Sequence, residues 1–180
     1  MAMVGWDIEN YRRCRPYTSG RSMLMLGNQF WSRDVPDAGE LFGVTSYQTL
    51  DMDSGDIKRD LDTDLSDLDQ TSDIVMNIGT LEHCWNAHQA HINAARMVRT
   101  GGYYIGHAPV RGYFDHAVHI TGHRAIQAFF AKNGFAIQEH WLAGNPENAI
   151  YWMIAQKLEH RKEFLAPKQI WVNGQDQGIA

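Results

Sequence analysis

Histidine is the side chain best suited to moving a proton near neutral pH, because its free pKa of about 6.5 lies close by. The sequence holds nine histidines in 180 residues. Four of them, His83, His107, His116 and His119, stand where a strand or loop is expected to hand over to the next element, which makes them candidate general bases. His83 opens an expected helix and is equally suited to capping or packing. His116, His119 and His123 would share one side of a helix, and His88 and His91 are three apart. A metal site is nevertheless not read there: Gly122 interrupts the first set, Thr121 reads as a helix cap inside it, and no carboxylate or cysteine completes either set at ligand spacing. A second chemistry comes from acids in the segment Asp51-Met52-Asp53-Ser54-Gly55-Asp56. A carboxylate at the end of a strand can accept both hydrogen bonds of a ribose diol. A third comes from Gly27, where the missing Cβ lets a ligand approach the backbone.

These residues need elements to hold them. Ser22 to Leu26 is a short apolar run that stops at Gly27, as a buried strand would, and a short helix fits after Pro36. Further strands are expected at Tyr47 to Leu50, at Ile57 to Leu61 and, most clearly, at Ser72 to Ile78, with a polar surface turn from Asp62 to Asp69 before the last of these. Leu81, Ala87, Ala90, Ala94, Ala95, Met97 and Val98 supply a helical apolar face, with Gly101-Gly102 as its stop. Tyr103 to Pro109 returns as a strand, and a helix capped by Thr121 runs through Asn133 to Gly134. Two closing strands, FAIQEHWLAG and NAIYWMIAQKLE, flank the turn Gly144-Asn145-Pro146 as a hairpin or adjacent antiparallel pair.

Strands alternating with helices imply an α/β fold with a parallel sheet covered on both faces and an antiparallel edge. Ligands in such sheets bind outside the carboxyl ends of the strands, where strand order reverses. That rule selects Gly27-Asn28-Gln29, Asp51-Met52-Asp53, Asn77-Ile78-Gly79-Thr80 and His107-Ala108-Pro109. A net charge of -5 argues against coating a nucleic-acid backbone and leaves a small molecule as the expected partner. No apolar run is long enough to span a bilayer and the first residues lack a secretory core, so a cytoplasmic protein with no membrane partner is expected. Cys14 and Cys84 read as ordinary thiols.

The string DIVMNIGTLEHCWNAHQAHINAARMVRTGGYYIGHAP, with its Leu-Glu-His and Gly-Gly elements, resembles the second half of a class I S-adenosylmethionine-dependent methyltransferase domain. HITGHRAIQAFFAKNGF resembles the helix that follows, and the resemblance extends over about Ser22 to Lys157. It implies a three-layer Rossmann-like fold, a mostly parallel seven-stranded sheet with an antiparallel last strand, and S-adenosylmethionine lying across the strand ends. One methyltransferase-like domain over 1–180 is expected, with its core at about 22–158 and an extension at 159–180 packed through Phe164, Ile170 and Trp171. Gly27 then matches the first glycine of the cofactor loop, Asp51 or Asp53 the ribose acid, Asp60-Leu61 the adenine contact, and Asn77 and Gly79 the strand exit facing the methionine moiety and the acceptor. His116 and His119 fall in the loop from which acceptors reach the cofactor in this family.

The glycine loop departs from the family pattern. Met25 stands where an acid is usual, and Asn28-Gln29-Phe30 replace the later glycines. Two functions follow as expectations. One is methyl transfer to a small-molecule or sugar-like acceptor, with Asn28 and Gln29 side chains holding the cofactor in an altered geometry. The other is a non-catalytic binding or assembly module that has lost the cofactor. So short a chain leaves a neighbouring subunit of a homo-oligomer, or the tail after Glu159, to close the site.

Overall fold

Short, largely apolar runs that stop at a glycine, such as Ser22 to Leu26 before Gly27 and Ser72 to Ile78 before Gly79, make central strands. The structure is a computed structural model that describes residues 5–27, 38–111, 117–145 and 147–165. Its strands are β1 (Ser22–Leu26), β2 (Ser46–Asp51), β3 (Ile57–Lys58), β4 (Ser72–Ile78), β5 (Val98–Arg111), β6 (Phe135–Gly144) and β7 (Ala149–Lys157). Its helices are α1 (Gly5–Thr18), α2 (Ala38–Phe42), α3 (Ala87–Met97) and α4 (His123–Lys132). The seven strands form one sheet in the order β3-β2-β1-β4-β5-β7-β6. Strands β1 to β5 pair in parallel, and β7 is antiparallel to both β5 and β6. Strand order therefore reverses between β1 and β4, which puts the ligand crevice at their carboxyl ends.

Side chains alternate across the sheet and feed two cores. On one face Leu24, Val75, Tyr104 and Met153 meet α3 and α4 through Ala90, Ala94 and Phe130. On the other, Met25, Ile74, Met76 and Trp152 meet α1 and α2 through Tyr11, Cys14 and Phe42. Helix α1 had no signal in the apolar pattern, because it packs through aromatic and polar contacts. Tyr11 sets its ring edge-on to Phe42 and Trp152, Asn10 accepts from the Trp141 indole at 2.8 Å, and Arg13 lies 4.1 Å from the Trp141 ring centre. Trp141 in turn stacks on Trp152.

Three sequence expectations are corrected. Gly101-Gly102 does not stop α3, which ends at Met97 and passes directly into β5. The glycine pair lies within β5, at a register shift against β4. Gly101 takes a φ of +86°, and a Cβ on Gly102 would stand 2.3 Å from the Asp73 carbonyl oxygen. What terminates α3 is Lys157, buried on β7, whose ammonium donates to the carbonyls of Ala95, Arg96 and Val98 at 3.1, 3.1 and 2.7 Å. A cation there satisfies the last carbonyls and opposes the helix dipole. Thr121 does not cap α4; Gly122 occupies that position without a side-chain bond, and Thr121 is buried nearby. Strand β3 stops at Lys58 rather than Leu61, because a turn closes after it: Asp60 accepts Asp62 N–H on its side chain and Thr63 N–H on its carbonyl.

The start of the tail is docked, with Asn133 and Leu165 exchanging two hydrogen bonds and Phe164 packed on the core, whereas Ile170 and Trp171 lie outside the described residues. Among the described residues no helix is long and apolar enough to cross a membrane. Lys157→Met keeps the apolar stem but leaves three carbonyls without their donor, so it is expected to lower stability by about 3 kcal/mol. Urea denaturation checks this, and an unchanged midpoint would show that α3 is ended by something else.

Candidate functional site

The exits of β1, β2, β4 and β5 form a connected edge. At the β1 exit Gly27 turns with φ +80°, and its N–H donates to the Leu50 carbonyl at 2.6 Å. Its bare face is filled from β4: a Cβ there would lie 2.3 Å from the Thr80 hydroxyl, which donates to the Leu26 carbonyl at 2.7 Å. Asn28 and Gln29, the next residues, lie outside the described residues. At the β2 exit Asp51 organises the loop, its Oδ1 accepting the N–H groups of Asp53 and Ser54 at 3.0 and 2.9 Å. Asp53 itself is exposed beside it.

After β3, Asp60 closes the turn described above and Leu61 is buried. This loop is held from α3 by Asn93, whose amide donates to the Leu61 and Thr63 carbonyls and accepts Leu65 N–H. Asp62 then accepts the N–H groups of Trp85 and Asn86 at the start of α3.

The β4 exit is more tightly bound. Buried Asn77 donates to the His107 carbonyl on β5 and accepts the N–H groups of Thr80 and Leu81, so its side chain shapes the turn. Gly79 takes φ +71°, and a Cβ on it would meet Glu82 Oε1 at 3.4 Å and His107 Cε1 at 3.6 Å. Gly79 thus separates two groups that the exits of β4 and β5 bring together. Beside them, a cleft opens on the α3 and α4 face, lined among others by Asn77, Glu82, His91, Tyr104, His107 and His119.

Of the four histidines read as candidate bases, His107 and His119 line the cleft, and it is His119 whose ring is held by a main-chain carbonyl. Its backbone N–H and that of Val118 both donate to the Glu82 carbonyl, and its Nε2–H donates to the Trp85 carbonyl at 3.2 Å. In the tautomer that this bond selects, Nδ1 is the lone-pair nitrogen. His83 is exposed on the short 3-10 turn Leu81–His83, and His116 lies outside the described residues. Among the described residues no three histidine, cysteine or acidic side chains are gathered closely enough to hold a metal.

Glu82 was not singled out from the sequence. It is 7% exposed, and Oε2 has no hydrogen-bond partner among the described residues; His107 Nδ1 is in the same position. Burial pushes the Glu82 carboxyl up to about 7. Burial pulls His107 and His91 down to about 4. The available signal was the acid inside Leu81-Glu82-His83, next to a leucine that must be buried for the turn to reach α3.

No protein-family profile and no curated protein sequence matches the chain. Solved structures do. A proposed methyltransferase from Bacillus halodurans C-125 shares 11% identity over 85% of this chain and 99% of its own, with a TM-score of 0.63. An S-adenosylmethionine-dependent methyltransferase from Mesorhizobium loti shares 13% over 82% and 95%, with a TM-score of 0.61. The N-methyltransferase NodS from Bradyrhizobium japonicum WM9, in complex with S-adenosyl-L-homocysteine, shares 11% over 86% and 87%, with a TM-score of 0.58. The chain has the class I methyltransferase fold, with the seven-stranded sheet and antiparallel β7 that the sequence resemblance implies.

The buried groups make stability depend on pH in two opposed ways. Glu82 holds its proton more tightly folded, at about 7, than at its ordinary 4.5, so its contribution is complete below 4.5 and is lost as pH rises through 7. His91 and His107, at about 4 against an ordinary 6.5, contribute above 6.5 and lose that contribution as pH falls through 4. Glu82→Gln removes only the first effect. Its stability is therefore expected to fall more steeply than the parent's between pH 7 and 4.5, by about 3 kcal/mol, in denaturant titrations at each pH. Parallel profiles would contradict the placement of an unpartnered acid here.

Proposed function

We propose that the protein is an S-adenosylmethionine-dependent methyltransferase acting on a small-molecule acceptor. The observation that carries this reading is the meeting, at the reversal of strand order in a methyltransferase fold, of a left-handed glycine after β1, acids after β2 and a shaped exit after β4. The donor chemistry at the β2 exit fits the cofactor. Asp51 holds the turn while Asp53 stands exposed, so the pair can offer a carboxylate to a ribose diol without unfolding the loop. The rigid Asp60 turn, pinned by Asn93, would flank the base, and the exits at Gly27 and Gly79 would face the methionine portion.

When bound, the cofactor supplies a methyl group already activated on a sulfonium. The chain's own task is then to hold the acceptor in line at attack distance and to exclude water, which accounts for most of the rate in such transfers. The apolar walls of the cleft beside β4, with Leu81, Ile126 and Met153, serve exclusion, and its polar groups serve orientation and proton handling. A second reading, a binding or assembly module without catalysis, draws on one observation. Thr80 fills the face of Gly27 that the cofactor loop would otherwise leave open.

Calorimetric titration with S-adenosylmethionine and S-adenosylhomocysteine separates the two readings. Saturable binding of both is expected, and none up to millimolar concentration would leave the module reading. In the same titration Asp53→Ala is expected to weaken binding about tenfold, a loss of about 1.4 kcal/mol, with the melting temperature unchanged. Asp51→Ala should lower affinity and melting temperature together, because the turn loses its acceptor. Unchanged affinity in both variants would place the ribose elsewhere.

A further inference from the structure

Glu82 is an acid in a cleft whose lining, among the described residues, holds no lysine or arginine. The charged and titratable groups facing it are Tyr104 and His107 from β5, His91 from α3, His119 from the segment before α4, Tyr151 from β7 and the neighbouring Cys84. None is a lysine or arginine, and burial keeps His91 and His107 neutral at physiological pH. A buried carboxylate with no cation beside it and one oxygen, Oε2, without a donor is costly, and the cost is relieved by protonation or by a cation brought in from outside. The place of the cleft favours the second: it is lined by Asn77 at the β4 exit and His107 at the β5 exit, where an acceptor would meet a cofactor lying across the strand ends.

We propose that this cleft is the acceptor site, that the acceptor is a small amine bound as its ammonium against Glu82 Oε2, and that Glu82 takes the proton that frees the nitrogen. The assignment rests on the methyltransferase reading and narrows its substrate class. The proton passes from R–NH3+ to the Glu82 carboxylate, leaving R–NH2 and a neutral carboxyl group. The amine lone pair then forms the N–C bond to the methyl group as the C–S bond breaks, its electron pair staying on sulfur to give a neutral thioether. The product is the methylated ammonium, and Glu82 returns its proton to water, with Nδ1 of His119 at the same cleft as the outward acceptor. An acid whose pKa lies near the working pH is suited to both halves of that exchange.

The test is calorimetric titration of benzylamine, with benzyl alcohol as its neutral counterpart, into the protein at pH 6, 7 and 8, both alone and saturated with S-adenosylhomocysteine. Benzylamine is expected to bind about tenfold tighter at pH 8 than at pH 6, as Glu82 ionises, while benzyl alcohol shows no such change. Glu82→Gln should lose about tenfold in benzylamine affinity at pH 8 and lose the pH dependence, with S-adenosylhomocysteine affinity unaltered. Glu82→Asp, which keeps the charge, should keep the pH dependence and guards against a folding defect in the first variant. Equal benzylamine affinity in the parent and Glu82→Gln, or no benzylamine binding at pH 8, would overturn the assignment. Failure of S-adenosylhomocysteine to bind would overturn the methyltransferase reading instead, and the titration without nucleoside still judges the contact of Glu82 with the amine.

Discussion

Parallel strands end side by side, and the peptide groups beyond their last ladder bonds must find partners that no neighbouring strand supplies. In this protein two side chains on one turn meet that demand. Asn77 binds the end of β5 and the first residues after β4, and Thr80 reaches across to the last carbonyl of β1. Together they tie three strand ends at the place where strand order reverses. The position of Gly79, the direction in which Glu82 enters the cleft, and the anchoring of His119 to the Glu82 carbonyl all follow from that tie. The crevice is shaped here by polar side chains whose hydrogen bonds are internal.

The same device recurs away from the crevice. Asn93 fixes the loop after β3 from α3, Lys157 ends α3 from β7, and Asn133 fastens the start of the tail to α4. Each is fully buried, and each joins segments far apart in sequence. Buried polar groups with all partners in place favour one arrangement over its near alternatives, since any shift would leave a donor or acceptor unpaired in a dry interior. Rigid loops around a crevice are what an in-line transfer requires.

Much of this architecture was legible in the chain. The runs Ser22 to Leu26, Ser72 to Ile78 and Phe135 to Gly144 are strands with those bounds, because a short, largely apolar or alternating stretch between turn formers has few other uses. The antiparallel closing pair was legible from its turn. Gly101-Gly102 misled, since a glycine pair after a helical pattern is a usual stop, whereas the true terminator, Lys157, is distant in sequence and looks like a surface cation. Helix α1 was invisible for a related reason: Asn10, Tyr11 and Arg13 declare their roles only once Trp141 and Trp152 are stacked across β6 and β7. At the site, position was legible and chemistry less so. The strand exits were found by their order, but Glu82 is an ordinary acid in the sequence and becomes distinctive only because its buried Oε2 has no partner among the described residues.

The proposed function places a nucleoside cofactor across the ends of β1, β2 and β4, with the acceptor cleft alongside. Backbone amide spectra of labelled protein, recorded with and without S-adenosylhomocysteine, test that placement residue by residue. Shifts concentrated at Gly27, at Asp53 and Ser54, in the Asp60 to Thr63 turn and at Gly79 are the predicted result. Shifts confined to α1, or to the outer edge of β6, would contradict it.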